Sequence, residues 1–413
     1  MTAPAEARPG LLRDRDFVLF ASGQGASALG DALSKTALPL LVLALTGSGL
    51  HMGAIAMLSA LPMLLFGVQA GALADRLDRR RMMLWSDAGR AVLVALVPLA
   101  VLLDVPVLPV LYAIAFPIGV LFAVFEAACL SCIPALVGRD RLGEANSTLA
   151  IGNALGYMIG PSLAGVLVAG FGGALTLGVD AVTFAVSALT LVFIRRPLQA
   201  ATRPAPTSMR SQVREGFEFI LGHRLLRSIL LYSTAVTFFT APVVLCATYL
   251  IREDLGWSPT LLGLVITAYA LGAIIGALAA SRLNRRPVLM TVCGTVVSGV
   301  ALLVLAITAS LPLILCVALL AGAGEAVSAI LYTTLRAHLT PDELLGRVTT
   351  TAQVATFGLR PLSLLVAGVA LEATSGATTV AVIGVLCLVV SAVFGGVAWS
   401  IRDKSTQTEE VGR

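Results

Sequence analysis

Residues Gly71–Arg81 read GALADRLDRRR, and residues Gly276–Arg286 read GALAASRLNRR. Each charged block closes an apolar run. His51–Ala70, immediately before the first block, holds no Lys, Arg, Asp or Glu. A run of about 20 apolar residues is what a helix needs to cross the hydrocarbon core of a bilayer. The whole chain has this character: its 413 residues are 58% hydrophobic and only 12% charged, with a mean hydropathy of +0.94. Soluble domains carry about 25% charged residues. This chain has too little polar surface to face water all round, so it reads as an all-α protein that crosses the membrane many times.

Twelve candidate spans follow along the chain, near 17–45, 51–72, 83–103, 107–131, 147–169, 174–194, 225–250, 259–281, 287–309, 312–335, 347–371 and 377–400. Lys and Arg mark the cytoplasmic side of such spans. Of the 28 in this chain, Arg252 falls on one face alone, and Lys35, Arg90 and Arg360 lie within spans. All the others lie at the N-terminus, at the C-terminus, or in the connections and span ends of the same face. Both termini are therefore expected in the cytoplasm, with GALADRLDRRR on that side between spans 2 and 3. The net charge of +5 then reflects orientation rather than nucleic-acid binding.

The longest connection, about 195–224, opens with Pro, Arg and Ala and turns amphipathic. Phe217, Ile220 and Leu221 recur at helical spacing beside Arg214, Glu215 and Glu218, which suits a short helix on the inner membrane surface. It divides the chain into a bundle at 1–194, a cytoplasmic linker at 195–224 and a bundle at 225–413. The two halves are related. Besides the repeated charged block, Leu142, Gly143 and Gly165 pair at one constant offset with Leu345, Gly346 and Gly368. Duplicated six-span halves are a common plan of secondary transporters.

With these residues in view, the sequence resembles the major facilitator superfamily over nearly its whole length. GALADRLDRRR follows that family's G-x-L-A-D-R-x-x-R-R signature. GQGASALGD in span 1, IPALVGRDRLGEANS before span 5 and GRVTT at span 11 resemble the branch of enterobactin and macrolide exporters. The resemblance implies twelve transmembrane helices in two pseudo-symmetric six-helix bundles in the plasma (inner) membrane. It also implies a conformational latch. Gly71 would let spans 2 and 11 approach, Asp75 would meet the positive N-terminal end of span 11, and Arg76, Arg79 and Arg80 would hold the loop and donate to helix-end carbonyls. In the second half Ala280 and Ser281 replace the Asp. GYMIGPSLAG in span 5 resembles the antiporter motif, with Gly156 and Gly160 for close packing, Pro161 for a bend, and Gly165.

Ionisable groups at bilayer depth are costly and mark function. In span 1, Gln24, Ser27, Asp31 and Lys35 form one polar stripe. Asp31 and Lys35, one turn apart, read either as a self-neutralising pair or as a proton or substrate site. Glu126 in span 4 and Glu325 in span 10 lie on spans that line the family's central cavity, where Arg360 of span 11 could neutralise Glu325. Tyr157, Tyr232, Thr237 and Tyr269 are expected to line it as well. Asp180 reads as an interfacial residue, and Asp87 with Arg90 as a cytoplasmic network with Arg76 or Arg79. Span 4 lacks the Arg of many drug–proton antiporters in this superfamily.

Enzyme chemistry finds no footing. The three His form no HExxH, no Ser-His-Asp set stands out, and no G-x-x-x-x-G-K-[ST] occurs. Cys129 and Cys132 form a lone CxxC inside an apolar span, which reads as packing rather than a metal site. The expectation is a monomeric secondary transporter without cofactor or metal. Its partners would be a small amphipathic or hydrophobic molecule, protons and the lipid bilayer. Efflux by proton antiport is the leading reading. An uptake symporter of the same fold is the alternative, with a membrane sensor or enzyme behind it.

Overall fold

The computed structural model describes residues 10–199, 209–283 and 285–411, and no strand occurs among them. Helix α1 (Arg15–Thr46) starts where Asp14 accepts the backbone N–H groups of Asp16 and Phe17, which satisfies donors the first turn would leave orphaned. It ends at Gly47, whose φ of 63° favours glycine. Ser48 caps α2 (Gly49–Arg76), and Asp78 caps α3 (Arg79–Leu102). Helix α4 (Val107–Val137) follows, then α5 (Leu142–Phe193).

Helix α5 is 52 residues long, which at 1.5 Å per residue gives about 78 Å, more than twice the hydrocarbon thickness. At Gly172 the backbone takes φ 80° and ψ 163° and breaks the helical path. The sequence-predicted spans 5 and 6 are its two limbs. Among the described residues, eleven helical segments are long and apolar enough to cross a membrane, this one counted once.

The second half begins with α6 (Met209–Gly222), α7 (Arg224–Thr240) and α8 (Val243–Tyr249). It continues with α9 (Pro259–Leu283), α10 (Pro287–Ile307), α11 (Leu311–His338), α12 (Asp342–Gly358), α13 (Arg360–Ala373) and α14 (Gly376–Val411). The amphipathic helix predicted on the membrane surface is α6; part of its apolar face packs on protein, while Leu221 stays exposed. Ile220 is buried with Leu226 and Leu230 of α7 and with Val348 and Ala352 of α12. Glu215 pairs with Arg347 across the same seam.

Within the first half α1 runs along α5, α2 packs on α4, and α3 packs on both α4 and α5. In the second half α11 packs on α9 and α10, and α10 on α14. The halves meet through α2 against α13 and α5 against α9. Two faces can be told apart. The linker face holds the starts of α1 and α3 and the end of α4; the far face holds the α1–α2 turn, Gly172 and the start of α9. Toward the far face one buried cluster takes residues from both halves, among them Leu43, Ile55, Val265 and Leu371. Toward the linker face the clusters are separate: one holds Phe17, Phe20, Met83 and Leu191, others Ile220 with Val348 and Tyr232 with Phe394. The halves are thus joined at the far face and have no shared core at the linker face. Many large apolar side chains stay outward-facing, such as Val182, Leu189, Leu278 and Val393, which only a hydrocarbon surround tolerates in such number.

Candidate functional site

A cavity of about 340 Å³ lies in the first half among α1, α3, α4 and α5, a volume in the small-molecule range. Asp31 comes from α1, Arg90 from α3, Glu126 from α4, and Asn153 and Tyr157 from α5. The lining extends to Ile133 and Asn146, near the linker-face ends of α4 and α5. Asp31 and Glu126, placed on separate spans by the sequence, therefore share one chamber. Neither forms an ion pair or accepts a hydrogen bond among the described residues.

Lys35 does not pair with Asp31. Its Nζ donates to the Tyr157 hydroxyl at 2.6 Å and sits 4.7 Å from that ring's centre. The i,i+4 spacing permits the ion pair, but the phenol of α5 offers both an acceptor and a cation–π face. Asp31 is thus left without an ion-pair partner among the described residues.

Arg90 is the residue that sequence reasoning misplaced. It does not join Arg76 or Arg79 in a cytoplasmic network. It is 1% exposed, pairs with Asp87, and is held between the rings of Phe125 and Phe184 at 4.5 and 4.3 Å. The Nε of Arg90 and Oδ2 of Asp87 are buried atoms with no hydrogen-bond partner among the described residues. The signal was present in the sequence: an Asp and an Arg three residues apart on an apolar helix can form an intramembrane pair. Asp180 is corrected in the same direction. It is 1% exposed on the second limb of α5, where Ser34 of α1 and Thr183 donate to it, so it is a buried packing group and not interfacial.

The span-5 motif acts through close approach. A Cβ on Gly156 would lie 3.0 Å from the Ala28 carbonyl carbon, and one on Gly160 would lie 2.5 Å from Ala32 Cβ. These glycines seat α5 on α1 beside Asp31. Gly165 faces the other half, where a Cβ would lie 3.0 Å from Thr260 Cα, and Gly263 returns the contact beside Pro161 and Ser162. Ser162 and Thr267 share a hydrogen bond of 2.7 Å across the seam.

The charged block is arranged differently from expectation. A Cβ on Gly71 would meet nothing within 4 Å, so Gly71 is not where spans 2 and 11 touch. That contact is at the far face, where a Cβ on Gly53 would lie 2.6 Å from the Leu364 carbonyl and 2.7 Å from Gly368 Cα. Asp75 faces Arg79 at 3.8 Å and not the start of α12; the separated linker face puts that helix end out of its reach. Arg79 is buried and donates to the carbonyls of Ala74 at 3.1 Å and Ser131 at 2.7 Å. Arg80 donates to Leu191 at 2.8 Å and to Val192. Both fasten helix ends within the first half, while Arg76 is exposed.

Sequence patterns gave no hint of the partner of this contact. Glu372, at the end of α13, accepts from the Ser48 hydroxyl at 2.6 Å and from the Leu50 N–H at 3.2 Å. It thereby caps the start of α2 from the opposite half. In the second half, Tyr269 donates to Glu325, and Arg360 is exposed at the start of α13. Neither Glu325 nor Arg360 lines the cavity of Asp31 and Glu126. Tyr232, expected to line a cavity, is instead buried, hydrogen-bonded to Thr295 at 2.5 Å and stacked on Phe394. Cys129 and Cys132 are buried thiols.

A family model described as a transmembrane secretion effector matches residues 11–409. The multidrug efflux pump Tap of Mycolicibacterium fortuitum is 32% identical over 369 residues, 85% of this chain and 88% of that one. The enterobactin exporter EntS of Citrobacter koseri is 30% identical over 319 residues, 76% of each. Two solved structures share the fold at low identity. The nucleoside transporter NupG matches with a TM-score of 0.74 at 12% identity, over 92% of this chain and 98% of that one. A bacterial homologue of the iron transporter ferroportin, in an inward-facing state, matches with a TM-score of 0.70 at 18% identity, over 93% and 99%. The chain belongs to the transmembrane secretion effector family, in the efflux branch of the major facilitator superfamily: it is a multi-pass membrane transporter and not an enzyme.

Proposed function

We propose that this transporter exports small amphipathic molecules across the plasma (inner) membrane in exchange for protons. Two six-span bundles, 1–194 and 225–413, would rock about the substrate, with the two limbs of α5 counted as separate crossings to make twelve. The segment 195–224 links them on the cytoplasmic side, where both termini lie, and the protein works as a monomer. The observation that carries this reading is the convergence of Asp31 and Glu126, without ion-pair partners, in one cavity beside Arg90. Carboxylates in a low-dielectric site can hold a proton or a cationic group, and exchange of one for the other is what antiport requires.

With the linker face taken as cytoplasmic, the closed far face and the separate linker-face clusters correspond to an inward-open state. In that state the latch of Gly71, Asp75, Arg76, Arg79 and Arg80 is disengaged from α12. It would close when Asp75 reaches the start of that helix in the outward-open state. Gly156 and Gly160 hold α5 on α1 within the first bundle, while Pro161 and Gly165 lie at the seam with α9 along which the bundles would turn. Glu325 and Arg360, outside the cavity, would join the path only after rearrangement. Likeness to the efflux pump Tap and to the enterobactin exporter supports export over uptake.

The test is a preformed pH gradient, acid inside, in inverted membrane vesicles, exposed to a panel of lipophilic cations and larger amphiphiles. Export coupled to protons predicts substrate-dependent collapse of the gradient, lost in Asp31→Asn. A gradient indifferent to every compound would overturn the proposal. Substrate-driven proton movement in the opposite sense would replace it with uptake.

A further inference from the structure

A second cavity, of about 370 Å³, lies apart from the chamber of Asp31 and Glu126, between the start of α3 and the side of α4, with Leu77 from the end of α2. Met82, Trp85, Leu121 and Val124 give it apolar walls, and Asp78 and Arg81 stand among them. Trp85 is 71% exposed and Leu77 49%, so the groove opens to the surroundings. Its depth follows from helix geometry. Trp85 is one turn beyond Arg81. Gly89, where a Cβ would lie 2.8 Å from Leu121 Cδ1, is two turns beyond it, about 12 Å at 1.5 Å per residue. The groove thus runs from a guanidinium, past an indole, to an apolar floor. A lipid presents its parts in that order from phosphate to acyl chain, and Trp favours the interface between them.

The mouth of the groove is basic. Arg76, Arg79, Arg80 and Arg81 stand against Asp75 and Asp78. Arg79 and Arg80 are occupied with helix-end carbonyls. Arg76 and Arg81 are exposed, and neither guanidinium makes a hydrogen bond among the described residues. Asp78 engages Arg81 only in part: its Oδ1 accepts the Arg81 backbone N–H at 3.1 Å, and its Oδ2 lies 4.0 Å from Nε. Both terminal nitrogens of Arg81 stay available as donors. A cationic headgroup would be repelled here, whereas an anionic one gains from both arginines. We propose that this groove binds an anionic glycerophospholipid of the leaflet at the linker face. Arg81 holds its phosphate, Arg76 adds charge from the end of α2, and an acyl chain lies along Met82, Trp85, Leu121 and Val124. The matching block of the second half carries exposed Arg285 and Arg286 but has Met290, not Trp, one turn on, so it serves as an internal control.

Fluorescence of Trp85 reads this site directly. The chain has three tryptophans, so Trp257→Phe and Trp399→Phe leave Trp85 as the sole indole. The full-length protein with these two changes is placed in bilayers containing rising fractions of phosphatidylglycerol with brominated chains or, separately, of phosphatidylcholine with the same chains. Phosphatidylglycerol should quench Trp85 at about fivefold lower fraction, the size of one basic contact to an anionic headgroup. Arg81→Gln should bring the two curves together. Arg285→Gln, which removes the same charge from the matching block, should leave the preference intact. Equal quenching by the two lipids without Arg81→Gln would assign the groove to ordinary annular lipid and overturn the proposal. A preference that survives Arg81→Gln, or that falls equally with Arg285→Gln, would reduce it to the general attraction of a basic surface and overturn it as well. Quenching by neither lipid would mean that something else, such as a second copy of the chain, covers the groove, and would also overturn it.

Discussion

At the scale of single residues, the structure separates charges that fasten the protein from charges held ready. Arg79 belongs to the first kind: buried, with its donors on the carbonyls of Ala74 and Ser131. Hydrogen bonds to charged groups are worth about 1.5–3 kcal/mol each net. Arg79→Met, which removes two such bonds, should therefore destabilise the first half by about 3–6 kcal/mol, seen as a lower midpoint in thermal unfolding of detergent-purified protein. Arg76→Met, at an exposed position, should leave that midpoint within error. Asp31 and Glu126 belong to the second kind, since nothing in the described residues is paired to them. Substituting Asn or Gln there should change transport far more than unfolding temperature. A large loss of stability in Asp31→Asn would mark it as a structural group instead.

At the scale of helices, small residues decide where the halves touch. Gly53 and Gly368 bring α2 onto α13, and Gly165 and Gly263 bring α5 onto α9, all toward the far face. Glu372 adds polar contacts to Ser48 and Leu50 at the same face. A Cβ at Gly53 would press on the Leu364 carbonyl at 2.6 Å, with backbone rather than a flexible side chain in the way. Gly53→Val should force the far face apart. Pulsed electron–electron resonance between spin labels at Asp104 and Thr374, both exposed near that face, should show a longer distance population than in the parent. Glu372→Gln, which weakens the cap without adding bulk, should move the distribution the same way by less. An unchanged distribution in both variants would mean that these contacts do not hold the face shut. Helix α6 offers a parallel case at the linker face, where a Cβ on Gly216 would lie 2.7 Å from the Arg347 carbonyl. Gly216→Leu should undock α6 from α12 and speed protease cleavage between 195 and 224.

At the scale of the whole molecule, the asymmetry between two closed seams at one face and separate cores at the other is what an alternating-access transporter displays in one of its end states. The proton-coupled reading makes a directional prediction for the full cycle. In inverted vesicles, collapse of the gradient by an exported substrate should be abolished by Asp31→Asn and reduced by Glu126→Gln, while Glu325→Gln, outside the cavity, should have the smaller effect. Glu325→Gln abolishing the response with Glu126→Gln silent would move the coupling site to the second half.

Much of this was legible in the chain itself. Apolar run length, charged punctuation and the repeated GALADRLDRRR and GALAASRLNRR blocks determine an all-helical, internally duplicated membrane protein, because hydrocarbon leaves the backbone no other way to satisfy its N–H and C=O groups. The spacing of Gly156, Gly160 and Gly165 marks close helix contacts for the same local reason. Which helix each glycine meets is not local. Gly71 reads like a contact and is not one, whereas Gly53 and Gly263, in no quoted motif, carry the inter-half seams. The site divides along the same line. Asp31 and Glu126 stand out in sequence because any charge inside an apolar run does. That they share a chamber, that Lys35 turns to Tyr157, and that Arg90 is packed between Phe125 and Phe184 instead of joining a cytoplasmic network with Arg76 or Arg79 depend on how α1, α3, α4 and α5 lie together. Charge inside a span is a property of composition. Its partner is a property of distance, and only the tertiary structure sets distances between residues far apart in the chain.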